Sequence, residues 1–230
     1  MKSACDRLII ALDVATRAEA TALADQLRPF AATMKVGLQL FIAEGPDLVR
    51  ALRDNGVDVF LDLKLHDIPH TVARAVEAAA KLDVQMLTLH LSGGGEMIRA
   101  AANAAPAGLR LLGVTILTSS NELMLREIGM ADDVAQQTTR LAQLGIDAGV
   151  GGLVASAHEV AALRKLAPSI VKLVIPGIRP RGAETQDQKR TMTPADAISA
   201  GADYLIIGRP IIAAPDPAEA ARKILAELEN

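Results

Sequence analysis

The chain has a single cysteine, no tryptophan, one tyrosine and three phenylalanines in 230 residues. A lone thiol, Cys5, allows neither a disulfide within the chain nor a multi-cysteine metal site, and it fits a reducing compartment. So few rings cannot build the stacking platforms on which single-stranded nucleic acid lies. There is also no basic run to neutralise a phosphate backbone, since 24 Lys and Arg against 27 Asp and Glu leave a formal charge of −3. No stretch reaches the ~18 consecutive apolar residues of a membrane helix. The run Leu8–Leu12 is short and flanked by Asp6, Arg7 and Asp13, unlike a signal peptide. Neither nucleic acid nor membrane is an expected partner, and a cytoplasmic location is expected.

What the chain does have is enough apolar residues for a core: 50% hydrophobic against 22% charged, with a mean hydropathy of +0.27. Eight short apolar runs, beginning near Leu8, Thr33, Val57, Gln85, Leu111, Gly152, Lys172 and Tyr204, alternate with helical patterns. Such alternation predicts βα units around a parallel sheet. Eight units in 230 residues leave roughly 29 each, the economy of a single-domain (β/α)8 barrel over residues 1–230. A doubly wound open sheet is the rival, but LIIALDVATR carries no G-x-G-x-x-G after the first run. A leucine-rich solenoid fails on its uneven spacing and missing leucine pattern. The long fifth unit, about 113–149, predicts an insertion or an extra helix.

Helix starts are marked by an oxygen-bearing side chain three residues before a glutamate: Thr16 and Glu19, Ser119 and Glu122, Ser156 and Glu159, Asp216 and Glu219. The first side chain accepts from an orphan backbone N–H while the carboxylate reaches back. Pro194 and Pro217 follow the caps Thr193 and Asp216, at a position where proline sacrifices no hydrogen bond.

Charge falls where a buried strand should have none. In the third run, Val57, Val59, Leu61 and Leu63 share one face, while Asp58, Phe60, Asp62 and Lys64 share the other. Asp62 and Lys64 then lie at the C-terminal end, where barrel active sites are built. A solvated ion pair at a strand terminus would give the same pattern. Against that reading, Asp67 follows three residues later, and Lys35 and Asp13 close the second and first runs at the same rim. Converging charges are costly to desolvate unless they pair. A lysine flanked by carboxylates stays protonated and is therefore a general acid. At the other end of the chain, Gly208-Arg209-Pro210 and the PGIRPRG segment follow runs eight and seven, the loops that bind phosphate in barrels. The polar stretch from Arg179 to Thr193 reads as a loop able to close over a ligand.

The segment DLKLHDIPHT at 62–71 resembles the D-x-K-x-x-D-I-P-x-T signature of the bacterial-type orotidine 5′-phosphate decarboxylase family, of the ribulose-phosphate-binding barrel group. So do LIIALDV at 8–14, MKVGLQLF at 34–41, GVTILTS at 113–119, PGIRP at 176–180, DQKRTMTP at 187–194 and IIGRPI at 206–211. The resemblance implies decarboxylation of orotidine 5′-phosphate to UMP in pyrimidine synthesis, with no metal and no cofactor. It makes Lys35, Asp62, Lys64 and Asp67 an alternating network in which Lys64 protonates C6 and Asp62 lies beside the substrate carboxylate. It assigns Asp13 and Lys35 to ribose hydroxyls, Thr118 to the pyrimidine edge, and Arg179, Gln188, Gly208 and Arg209 to phosphate. It also implies a homodimer in which Asp67 and Thr71 complete the neighbouring site. His70 departs from the asparagine common in that family.

Other polar residues have simpler readings. His66 and His70 are separated by Pro69 and do not form a helical metal pair; His90 reads as a structural histidine at a strand end, and His158 as an exposed helix residue. Two rival functions remain. One is a magnesium-dependent sugar-phosphate decarboxylase or aldolase on the same barrel, which would need an acid where this chain has Lys35. The other is a non-catalytic sensor of a phosphoribosyl ligand, which would need no buried Lys64.

Overall fold

The computed structural model describes residues 3–130, 133–180 and 192–229. Eight parallel strands, β1 (Leu8–Ala11), β2 (Thr33–Gly37), β3 (Asp58–Leu65), β4 (Met86–His90), β5 (Arg110–Val114), β6 (Gly152–Val154), β7 (Lys172–Ile175) and β8 (Tyr204–Ile207), close in sequential order into a barrel. Each starts within a residue of an apolar run, because a strand covered on both faces must be apolar on both. The long fifth unit holds two helices, Glu122–Glu127 and Val134–Asp147.

The buried side chains form two separate cores. The larger lies between barrel and helices and takes Val59 and Leu61 from β3. The smaller fills the cylinder with Ile9, Phe60, Met86, Leu112, Val174, Tyr204, Ile206 and their neighbours. The alternation expected along β3 therefore holds through Leu61. Beyond it the ladder slips: Leu61 faces Leu87 but Leu65 faces Leu89, so three residues of β3 oppose one of β4. Lys64 sits in that slip with φ +52°, a left-handed conformation that costs a side-chain-bearing residue about 1–2 kcal/mol.

Helix starts follow the sequence with one correction. Thr16 and Glu19 make the expected box, Asp216 accepts from the Glu219 N–H, and Thr193 caps the helix that opens with Pro194. Glu159 reaches back to the Ser156 N–H at 2.9 Å. In the fifth unit the cap is not Ser119 but Asn121, which accepts from Met124 N; the helix begins at Glu122, so that glutamate has no fourth position from which to reach back. Between β4 and β5, Leu91 wedges against two glycines, and a Cβ added to Gly113 or Gly145 would lie 2.5 or 2.6 Å from its Cδ2. No helix among the described residues is long and apolar enough to cross a membrane.

Candidate active site

At the C-terminal mouth, β1, β2 and β3 bring four charged side chains into one chain of ion pairs. Lys64 Nζ donates to both oxygens of Asp62 at 2.8 and 2.9 Å. Lys35 Nζ lies 3.7 Å from Asp62 Oδ2 and 3.2 Å from Asp13 Oδ1. Exposure falls from the Asp13 side chain, at 52%, to those of Lys35 and Asp62, at 10% and 13%, and rises again to 28% at Lys64. Lys35 does not end its strand level with Asp62 as the sequence suggested; it pairs with Phe60 while Gly37 pairs with Asp62, so its long stem climbs to the network.

Burial opposes ionisation of Asp62. The ammonium groups of Lys35 and Lys64, the hydrogen bonds from Lys64 and the Thr88 hydroxyl outweigh it and hold the carboxyl below its ordinary value. Thr88 is a contributor that sequence reasoning missed. Its hydroxyl donates to Asp62 Oδ1 and accepts from the Lys64 backbone N–H, each at 2.9 Å. The available signal was the alternation of β4, which turns Met86, Thr88 and His90 inward together. His90 stacks obliquely on His66 with ring centroids 5.8 Å apart. Burial first, then His66 and Lys64, outweigh Asp62 and lower the His90 pKa.

A cavity of about 150 Å³ opens above this network, lined by Lys35, Asp62 and Lys64 on one side and by Phe60, Val114, Ile206 and Thr118 on the other. A second, of about 210 Å³, continues past Asp13 and Gly37. Gly208 lies close against Asp13, one of that cavity's lining residues: a Cβ there would come within 3.1 Å of Asp13 Oδ2 and 3.3 Å of Ala11 Cβ. A larger cavity, about 480 Å³, lies at the opposite mouth beside Asp58, Arg110 and Tyr204. Asp58 there is paired with Arg53 at 2.8 Å, so the convergent charges belong to the other end.

The remaining expected residues are more dispersed. Arg179 is buried, with its guanidinium donating to the Ile178 carbonyl, and Arg209 is exposed at the head of a short helix after β8. Asp67 and Thr71 are exposed; Asp67 accepts from the Ile68 N–H and is placed outside the ionic network of its own chain. Gln188, and most of the Arg179–Thr193 stretch read as a closing loop, lie outside the described residues. The Ser92–Gly95 run serves to open a helix, Gly94–Ala104, after one 3₁₀ turn.

A closed βα barrel with alternating ammonium and carboxylate groups over an apolar floor defines an acid–base barrel enzyme. Residues 6–224 match the model of the Orotidine 5′-phosphate decarboxylase / HUMPS family. The orotidine 5′-phosphate decarboxylase of Opitutus terrae is 52% identical over 99% of this chain and 100% of its own length. That of Anaeromyxobacter sp. (strain K) is 49% identical over 97% and 98%. Among solved structures, orotidine 5′-phosphate decarboxylase from Lactobacillus acidophilus superposes with a TM-score of 0.87 at 34% identity, covering 98% of this chain and 100% of that one. The chain belongs to the orotidine 5′-phosphate decarboxylase / HUMPS family.

Proposed function

We propose that this chain converts orotidine 5′-phosphate to UMP and CO2 without a metal or cofactor, with Lys64 as the acid. The observation that carries the reading is Asp62 set between two ammonium groups, 2.8 Å from Lys64 and 3.7 Å from Lys35, above an apolar floor. In the reaction the bond from C6 to the carboxylate breaks, the electron pair stays on C6 and CO2 departs. A proton then passes from Lys64 Nζ to C6, and solvent restores the ammonium. A fixed cation beside a developing carbanion, in a site with little water, stabilises it far more than the same charge does in bulk. Asp62 keeps that cation aimed.

Asp13 and Lys35 are assigned to the ribose hydroxyls and Thr118 to the pyrimidine edge. Arg179, Gln188, Gly208 and Arg209 are assigned to the phosphate, whose remote binding energy supports the chemical step. Exposed Asp67 and Thr71 are assigned to the site of a second copy, which makes the working unit a homodimer; this outward placement supports that role better than a role within one chain. The enzyme is assigned to the cytoplasm.

The rival within the fold is a magnesium-dependent sugar-phosphate enzyme. Two ammonium groups at 2.8 and 3.7 Å from Asp62 oppose a divalent cation at that carboxylate. The test is ultraviolet monitoring of orotidine 5′-phosphate with purified protein and excess chelator. Turnover that survives chelation supports the proposal; complete loss restored by magnesium overturns it.

A further inference from the structure

We infer that Thr88 is a positioning residue for this chemistry, the clasp that holds Lys64 and Asp62 in their reactive arrangement; the inference rests on the proposed role of Lys64. Between the paired positions Leu61–Leu87 and Leu65–Leu89, the residues Asp62, Leu63 and Lys64 leave the β3–β4 ladder. Pairing with β4 therefore does not fix this part of the strand, and the β2 register runs only to Asp62, opposite Gly37, two residues short of Lys64. Thr88 is the one residue of β4 facing that gap. Its hydroxyl spends its proton on Asp62 Oδ1 and a lone pair on the Lys64 N–H, both at 2.9 Å. At 1% exposure, no bulk water competes for either bond.

The two bonds do different work. The one to the Lys64 N–H tethers a residue held at φ +52°, a conformation that relaxes unless its surroundings over-determine it. The one to Asp62 adds a donor to the carboxylate and favours its ionised form. Valine has the same shape as threonine but presents a methyl group to both partners. Thr88→Val would orphan the Lys64 N–H and remove one donor from Asp62, letting the ammonium drift from the reacting carbon. A displacement near 1 Å costs on the order of 100-fold in rate.

The test compares the full-length parent with Thr88→Val, Thr88→Ser and Thr88→Cys. It measures kcat and KM against pH, thermal unfolding, and titration of the Asp62 carboxyl by carbon NMR. Thr88→Val is expected to lower kcat by about 10- to 100-fold with KM within about threefold, and to move both the acid limb of kcat and the Asp62 titration to higher pH. Thr88→Ser is expected to restore most of the rate. If the valine variant does not fold, serine against cysteine makes the same comparison, since a thiol is a weak donor and acceptor. A valine variant within about twofold of the parent, a serine variant no better than valine, or an unmoved Asp62 titration would overturn the inference. A parent inactive on orotidine 5′-phosphate would defeat the proposed function instead, and the titration would still decide whether Thr88 governs Asp62.

Discussion

Lys35 pairs with Phe60 along β2 and β3, one inward-facing position below Asp62, yet its ammonium reaches Asp62 Oδ2 at 3.7 Å. One carboxylate thereby serves two cations whose side chains, with its own, are mostly buried. Asp62→Asn is expected to lower kcat by at least about 100-fold. Leaving buried ammonium groups short of a partner is expected to cost about 3–5 kcal/mol in urea unfolding. The Asp62 contribution also depends on pH. Its folded pKa is depressed, so the stability it adds is complete above the unfolded carboxyl value of about 3.9 and is lost as pH falls through the lower folded value. Asp62→Asn is expected to flatten that acid-side loss.

Lys64→Ala is expected to fold, because the lysine side chain is 28% exposed and packs no core, while turnover falls by at least about 10⁴-fold. Circular dichroism and single-turnover kinetics separate these effects. A variant that keeps full function would point to a phosphoribosyl sensor rather than an enzyme.

The proposed sharing of sites between two copies predicts complementation. Lys64→Ala and Asp67→Ala copies are each expected to be inactive as homodimers. Co-expressed and allowed to exchange, they should recover about a quarter of parental activity, since half the dimers are mixed and each mixed dimer holds one intact site of two. Failure of any activity to return would place Asp67 within its own subunit's site or outside the reaction.

His90 supplies a pH prediction of its own. Its pKa lies below the ordinary value of about 6.5, chiefly through burial and then through His66 and Lys64. Below that pH the unfolded chain takes up a proton that the folded site refuses, so stability declines as pH falls toward the folded value. Replacing His90 with Gln is expected to lessen that slope in denaturant titrations between pH 7 and 5, a range set by where histidine titrates at about 6.5. A slope identical to the parent would refute the assignment.

Gly113→Ala is expected to lower stability by about 1–3 kcal/mol, because its methyl group would meet Leu91 Cδ2 at 2.5 Å. Pairing it with a shorter residue at 91 should recover part of the loss, which a double-mutant cycle measures.

The strands were legible because each is an apolar run that must be buried on both faces, and Asp62 and Lys64 stood out because they interrupt that rule. The charge of Lys35 at the end of its run is legible but its height is not, since register across β2 and β3 depends on how neighbouring strands slide. For Thr88 the alternation of β4 gives only its inward direction; its importance comes from three residues of β3 facing one of β4, a mismatch that neither strand's own pattern announces. The Ser119 cap fails because three oxygen-bearing side chains, Ser119, Ser120 and Asn121, compete in succession, and sequence alone does not say where the helix takes hold.

Phe60 closes the cylinder directly beneath the charged ring, and this stopper dictates traffic. With no passage along the axis, whatever enters at the C-terminal mouth also leaves by it. On the proposed reaction, the liberated gas must escape through the same doorway that admitted the nucleotide, so its departure is tied to how tightly that doorway is shut while the new carbon–hydrogen bond forms.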